Sequence, residues 1–406
     1  MSVERDDWLP ALPSGWAAVP AKSLFSLRSE KSRPDDVHLT PSQKYGVIPQ
    51  SEYMEITGSR VVLNLVGADN MKHVEPGDFV IHLRSFQGGV EFSQHRGKVS
   101  AAYTVLTPTP LAEPRFFRWL LKSERYIQAL QVSVDQLRDG QSIRYGDFAK
   151  IDLPLAPPDV QRRIADYLDR ETATIDALID KQTAHVGLLR ERRLAAQNRA
   201  VMGLDLDSDL IEGEQVPVGW TSGPIKRVLE SLDSRRVPLN ADERGARQGS
   251  FPYYGASGVI DSVDDYLFDG DLVLVGEDGA NLLNRSTPLA FVAYGQYWVN
   301  NHAHVLRPKF GPVEFWAARI EALDVSPVVS GSAQPKLTAD ALMALRISWP
   351  ENPDDMARIV EVMTRETAKI DALIAKAERF IELAQERRAA LITAAVTGQI
   401  EIPTED

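Results

Sequence analysis

The side chains of this sequence that could do chemistry are hydrogen-bonding groups gathered on turns, and the chemistry they suit is recognition. Arg and Lys offer the paired donors that fit a guanine edge; Asn and Gln offer the donor beside an acceptor that fits adenine. Arg, Lys, Ser and backbone N–H groups suit phosphate. In the first half of the chain the candidates are Arg84, Ser85, Gln87, Arg96, Lys98, Ser100, Tyr103, Gln141 and Arg144. In the second half they are Tyr253, Tyr254, Asn281, Asn284, Arg285, Asn300, Asn301, His302, Gln334 and Lys336. Each has a plainer reading: a lone loop arginine is ordinarily solvated, and Tyr103 suits a strand core. The polar turns at 139–145 and 331–337 weigh more than the isolated residues. Asp278 would be repelled by phosphate, and suits either a cytosine amino group or the cap of a turn. His302 and His304 have the i, i+2 spacing of a strand, so a place in a sheet outweighs metal ligation, and no metal site is expected. Catalytic motifs are missing. There is no Asn-Pro-Pro-Tyr or Asp-Pro-Pro-Tyr to hold a flipped base, no Gly-x-x-x-x-Gly-Lys-Ser/Thr and no His-Glu-x-x-His. Arg96-Gly-Lys98 and Gly276-Glu-Asp-Gly279 are glycine turns.

These turns must be held by larger elements, and the dominant element occurs twice. The first copy runs over 159–201 and the second over 354–396. At a constant offset they share Arg-Ile (163–164, 358–359), Glu-Thr-Ala (171–173, 366–368), Ile-Asp-Ala-Leu-Ile (175–179, 370–374), Glu-Arg-Arg (191–193, 386–388) and a closing Ala-Val-x-Gly (200–203, 395–398). Apolar residues recur at steps of three and four, including Ile164, Leu168, Ile175, Val186 and Ile359, Met363, Ile370, Ile381. Both copies therefore read as helices, about 60 Å long at the helical rise. Asp159 and Asn352 stand as N-caps, and Gly203 and Gly398 as the residues that end each helix.

Composition is that of a soluble globular protein of two or more domains, with neither a signal peptide nor a membrane span. The absence of cysteine rules out disulfides and fits the cytoplasm. The net charge of −12 argues against a polyanion partner. Its distribution weakens that argument, because residues 13–150 carry 17 basic and 14 acidic side chains, while the linker at 203–216, the second helix and both tails hold the excess acid. Alone, the chain should bind a polyanion weakly.

Taken in order, a tail at 1–12 precedes a globular region at 13–156. The first long helix occupies 157–203 and an acidic linker 204–216. A second globular region spans 217–350, the second long helix 351–400 and a short tail 401–406. Pro13-Ser-Gly-Trp16 and Pro217-Val-Gly-Trp220 open the two regions, so the repeat reaches beyond the helices. Strands are predicted at 45–48, 60–65, 77–82 and 102–106, then at 250–254, 271–275, 289–292 and 304–306. Helices are predicted to start near Pro114, carrying Phe117, Leu120, Leu121, Ile127 and Leu130, and near Pro312, carrying Phe315, Trp316 and Ile320. The fold class is α+β: two domains of small mixed sheets and helices, separated by two long helices packed as an antiparallel coiled coil, in a pseudo-twofold repeat. Such a device holds two unlike heads at a set distance. It suits two different marks on a rod such as DNA, whose successive turns lie about 34 Å apart.

The long repeats, with Ala-Val-Thr-Gly-Gln-Ile at 395–400, resemble the conserved regions of type I restriction–modification specificity subunits. Tyr253-Tyr-Gly-Ala-Ser-Gly258, Phe268-Asp-Gly-Asp-Leu-Val-Leu-Val-Gly-Glu-Asp-Gly-Ala280 and 298–306 resemble one type of target recognition domain. Gly88-Gly-Val, Arg96-Gly-Lys-Val-Ser-Ala-Ala-Tyr-Thr104 and the turn after Gly140 resemble another. The lead-in Pro157-Pro-Asp-Val-Gln161 departs from the family's Pro-Pro-x-x-Glu-Gln, and Pro350-Glu-Asn-Pro-Asp-Asp355 departs further. The resemblance runs from Pro13 to Ile402. It implies a non-catalytic subunit that chooses a split, asymmetric site in double-stranded DNA, one half per domain, and scaffolds two modification subunits. Those subunits would methylate adenine with S-adenosylmethionine; two restriction subunits, where present, would use ATP and Mg. No cofactor is expected on this chain. Glu191-Arg-Arg193 and Glu386-Arg-Arg388 offer Arg192, Arg193, Arg387 and Arg388 as partner contacts, against the plainer reading of a solvated face. The rival reading is a protein–protein adaptor with two binding domains on a coiled-coil spacer and no nucleic acid.

Overall fold

The computed structural model describes residues 8–59, 70–81, 89–133, 143–204, 217–331 and 334–403. The chain divides into two compact units, residues 1–183 with 379–406 and residues 184–378. Each unit thus takes one globular region and one piece of each long helix. No helix among the described residues is long and apolar enough to cross a membrane.

The long helices are Pro158–Val201 and Pro353–Val396, 44 residues each, or about 66 Å at the helical rise. The first starts one residue earlier than its sequence suggests. Pro158 takes the first helical position and the Pro157 carbonyl accepts from Gln161 N–H at 2.9 Å, so Asp159 falls inside the first turn rather than capping it. Asn352 does cap the second, its Oδ1 accepting from Asp354 N–H at 3.1 Å. Within the first unit, Ile164, Ala165 and Leu168 share a core with Ile392, Ala395 and Val396. Within the second, Val201 shares one with Met356 and Ile359. The early part of one helix meets the late part of the other in both cases, which is antiparallel packing.

Both helices end alike. Gly203 and Gly398 have φ of 73° and 70°, a conformation that favours glycine. The N–H of the next residue reaches back to Arg199 O at 3.0 Å and to Ala394 O at 2.7 Å. The missing side chains also make room. A Cβ on Gly203 would lie 2.6 Å from the Trp220 ring, and one on Gly398 would lie 2.5 Å from Pro13. The two Pro-x-Gly-Trp segments therefore seat on the two terminal glycines, which accounts for their shared recurrence in the sequence.

The globular regions share a frame. In the first, Ala17–Pro20 pairs antiparallel with Asp152–Leu155; in the second, Trp220–Pro224 pairs with Arg346–Pro350. Each has a four-stranded antiparallel sheet. Its order is Phe25–Leu27, Thr104–Pro108, Phe79–Ile81, Val90–Phe92 in the first, and Leu229–Ser231, Ala303–Pro308, Leu272–Gly276, Ala290–Ala293 in the second. The registers agree: Phe25 and Leu229 each face the proline that closes the neighbouring strand, Pro108 and Pro308. Alternate residues of these strands bury Phe79, Ile81 and Leu106 against Phe116 and Phe117 of the helix Pro114–Leu120. In the second region Val273, Val275 and Leu306 pack on Phe315 and Trp316 of Val313–Glu321.

Outside the frame the regions differ. The first adds the hairpin of Leu39–Ser42 with Gly46–Pro49 and the pair Lys72–Val74 with Gly97–Val99. The second adds a four-stranded sheet of Gly258–Val263, Phe251–Gly255, Gln296–Val299 and Phe268–Asp269. The helix expected to run from Pro114 through Leu130 is two, Pro114–Leu120 and Glu124–Ser133. Ser123 breaks it, its hydroxyl donating to Leu120 O at 2.8 Å. The strand predicted at 60–65 lies outside the described residues.

Candidate nucleic-acid interface

In the second unit three segments singled out from the sequence meet at one end of the frame sheet. The strand Leu272–Gly276 runs into the turn of Glu277 and Asp278. Glu277 N–H donates to His302 O at 2.9 Å, its carbonyl accepts from Leu337 N–H at 2.8 Å, and Gly279 N–H donates to Pro335 O at 2.9 Å. The turns at 276–279, 300–302 and 334–337 are thereby one surface. Asn301, His302, Gln334 and Lys336 are exposed on it. His302 Nδ1 lies 2.7 Å from Asp278 Oδ2, so Asp278 serves its neighbour rather than standing alone.

Beneath this rim lies an ionic hub. The Glu277 carboxylate accepts from Arg236 at 2.8 Å and from Lys336 at 3.2 Å. Arg236 also donates to Ala303 O at 2.7 Å. His304, 1% exposed, faces Asp233 Oδ2 at 2.6 Å through Nδ1 and Leu337 O at 2.8 Å through Nε2. Asp233 Oδ1 takes Val305 N–H at 2.8 Å. Burial alone would raise both carboxyls. The His304 and Val305 hydrogen bonds hold Asp233 below its ordinary value, and Arg236, His304 and Lys336 do the same for Glu277. Lys336, half exposed, is thus held to the rim by the Glu277 carboxylate. As the strand spacing suggested, His304 lies in a strand, Ala303–Pro308; His302 sits in the preceding turn.

Other sequence candidates in this unit have internal duties. Tyr253 is fully buried, and its hydroxyl accepts from Leu239 N–H at 3.0 Å, so it has no surface with which to meet a base. Arg285 has φ of 50° and turns inward, donating to Leu323 O at 2.5 Å and lying 3.6 Å from Glu321. The Asn281 amide donates to Thr287 O at 3.0 Å and accepts from Thr287 N–H at 2.8 Å, closing its own loop. Asn300 is buried and accepts from His302 N–H at 2.7 Å; it shapes the rim from below. Tyr254 is half-buried and stacks on Phe291 at 6.0 Å. Asn284 is exposed, its Oδ1 accepting from Ser286 N–H at 3.2 Å.

The first unit has a comparable hub. His73 is wholly buried between Asp36 and Glu75, each 2.7 Å from one ring nitrogen. Arg96 sits over it, 2.8 Å from Asp35 and 3.4 Å from Asp36. Lys98 is half-buried in Gly97–Val99, and its N–H donates to Val37 O at 2.8 Å. Ser100 is half-buried and turns the chain towards Tyr103, which packs on the cluster of Leu39, Val80 and Val99. Arg144 is exposed at the start of Tyr145–Phe148. Arg84, Ser85, Gln87 and Gln141 lie outside the described residues.

The repeated Glu-Arg-Arg divides by position. In the first unit Arg388 pairs with Asp176 at 2.8 Å; in the second Arg193 pairs with Asp371 at 2.6 Å. Asp371 and Arg388 are the repeat counterparts of Asp176 and Arg193, so the same contact is made in each unit. These two arginines bind the facing helix of their own chain. Arg192 and Arg387 are exposed. Sequence reasoning missed Asp233, Arg236, Glu277, Asp36, His73 and Glu75, because the contacts that assemble each hub, Asp36 with His73, Arg236 with Glu277 and Asp233 with His304, join residues 37, 41 and 71 positions apart.

The two units thus share a frame, and each carries an ionic hub. Residues 217–381 match the family model of the type I restriction modification DNA specificity domain. A putative type I restriction enzyme specificity subunit of Haemophilus influenzae is 32% identical over 164 residues, 39% of this chain and 40% of that protein. The chain thus spans two-fifths of the length of this curated relative. One chain from a structure of type I restriction–modification complex assembly and conformational transition shares the fold at a TM-score of 0.66, with 15% identity, over 96% of this chain and 100% of its own. The HsdS subunit of Thermoanaerobacter tengcongensis shares it at 0.51, with 17% identity, over 96% and 99%. Residues 217–381 thus resemble a type I restriction modification DNA specificity domain, and the chain as a whole shares its fold with the two solved proteins.

Proposed function

We propose that the chain is the DNA-sequence-specificity subunit of a type I restriction–modification complex. The observation that carries this reading is the matched frame with unmatched rims: the sheets agree in order and register, while the turns above them differ in sequence and hydrogen bonding. One frame presenting two different surfaces suits a bipartite, asymmetric site in double-stranded DNA, one half per domain. In the second domain Asn301, His302, Gln334 and Lys336 are the contacts, and the exposed Asn284 is a further candidate. In the first they are Arg96, Lys98 and Arg144, together with Arg84, Ser85, Gln87 and Gln141 from the sequence reading. Tyr253 and Arg285 are withdrawn from the set. The chain scaffolds two adenine-methyltransferase subunits, which carry S-adenosylmethionine, through faces that include Arg192 and Arg387. Restriction subunits, where the system has them, bring ATP and Mg. The chain itself performs no catalysis and holds no cofactor.

Affinity then comes largely from the assembly. The isolated chain, at −12, binds duplex weakly, and the complex with methyltransferase subunits binds one sequence tightly and with strong salt dependence. The test is a titration of the purified assembly with its methylated motif and with scrambled duplex at moderate salt. Equal affinity for the two would refute the proposal.

A further inference from the structure

The recognition rim of the second unit has an apolar neighbour. Val259 and Ile260 are 55% and 56% exposed. Single exposed apolar residues are ordinary on a protein surface. Adjacent ones on a strand are less so, because successive side chains should point to opposite faces. A bulge explains the exception. Val259 faces Tyr254 and Asp261 faces Tyr253, which leaves Ile260 as the extra residue. Bulges of this kind re-aim a side chain and are common beside functional sites.

The bulge aims Ile260 at the rim. A Cβ on Gly255 would lie 3.2 Å from two Ile260 carbons and 3.5 Å from the Asn300 amide nitrogen. Ile260 thus lies over Gly255 beside Asn300, whose Oδ1 holds His302 N–H at 2.7 Å. The turn between the two strands is fixed to the same rim: Asn300 N–H donates to Tyr254 O at 3.0 Å, and a Cβ on Gly276 would stand 3.0 Å from Ala256 O. A branched apolar side chain is therefore placed at the edge of a surface otherwise made of amide, imidazole and ammonium groups.

We infer that Ile260, with Val259 beside it, reads thymine by contact with its 5-methyl group in the major groove. This rests on the DNA-reading function proposed above. Among the four bases only thymine presents an apolar group on that edge. Polar neighbours alone can read the donors and acceptors of an A·T pair but gain nothing from its methyl.

The experiment replaces each thymine of the methylated motif, one at a time, by uracil, which removes the methyl and leaves every donor and acceptor in place. The wild-type assembly should bind at least one such duplex about fourfold more weakly, the value for one buried methyl-sized group. Ile260→Ala should bind thymine and uracil duplexes equally, and Ile260→Val should keep part of the difference. Ile260 is more than half exposed, so neither substitution threatens folding. Equal wild-type affinity for all the duplexes, or undiminished discrimination by Ile260→Ala, would each overturn the inference. Failure of the underlying DNA-reading function shows separately, as loss of preference for the motif over scrambled duplex.

Discussion

Glu277→Gln separates the two duties of the second-unit hub, holding the turns and restraining a cation. The side chain is 11% exposed and meets Arg236 at 2.8 Å and Lys336 at 3.2 Å. Gln keeps the shape and can still accept one N–H, but it loses the charge. Breaking a largely buried ion pair costs about 3 kcal/mol. The retained hydrogen bond returns about 1 kcal/mol of that. Lys336 is 53% exposed, so its share is below about 1 kcal/mol after solvent screening. The expected loss is therefore roughly 2 kcal/mol by urea titration. Binding should change in the opposite sense. Lys336, released from its carboxylate, becomes available to phosphate, so the slope of log affinity against log salt should steepen by about 0.9. Affinity for scrambled duplex should rise, and the ratio of motif to scrambled binding should fall, because Lys336 anchors the turn at 334–337. A variant with wild-type salt slope and wild-type ratio would refute the assignment of Glu277 as restraint on Lys336.

Other consequences can be measured on the chain itself. Asp233 and Glu277 are held below their ordinary values of 3.8 and 4.5. Lowered carboxyls contribute stability that is full above the unfolded values and lost as pH falls through the folded ones. The second unit should therefore weaken on acidification below about pH 4.5, and Asp233→Asn should flatten that dependence when unfolding is followed against pH. Gln161, wholly buried, donates to Leu111 O at 3.0 Å and Ala156 O at 2.8 Å and accepts from Glu113 N–H at 2.8 Å. Gln161→Met imitates its counterpart Met356 and leaves those groups unpaired, so urea unfolding should show a loss of about 3 kcal/mol; a loss under about 1 kcal/mol would count against the clamp. Arg388→Asp should destabilise by roughly 0.5–1 kcal/mol, since the pair is partly exposed, and Asp176→Arg in the same chain should restore most of it. A double-mutant cycle that closes to zero would show that the pair does not couple.

The frame was largely legible in the sequence. The helical period over more than forty residues, glycine at each helix end and the doubled Pro-x-Gly-Trp each have a local cause. Short strands such as Ala17–Pro20 and Phe25–Leu27 were not legible, since their order is fixed by partners 79 or more residues away. The rim was legible in part. Asn301, His302, Gln334 and Lys336 are where polar turns suggested. Tyr253 was misplaced because an aromatic beside a turn looks the same whether its hydroxyl meets solvent or Leu239. Arg285 was misplaced because its left-handed backbone, which turns it inward, leaves no mark in the sequence. The helix arginines show the limit most clearly: Arg192 and Arg193 are neighbours in one repeated triplet, and only the facing helix tells which of them is engaged.

The account's central claim is that each globular region reads its own half of one DNA site. Methylation-aware sequencing of host DNA tests it most directly, after residues 217–350 are exchanged for the corresponding region of a type I specificity subunit with a different motif. The account predicts that one half of the adenine-methylated motif changes while the other half keeps its bases. A change in both halves, or an unaltered motif, would contradict it.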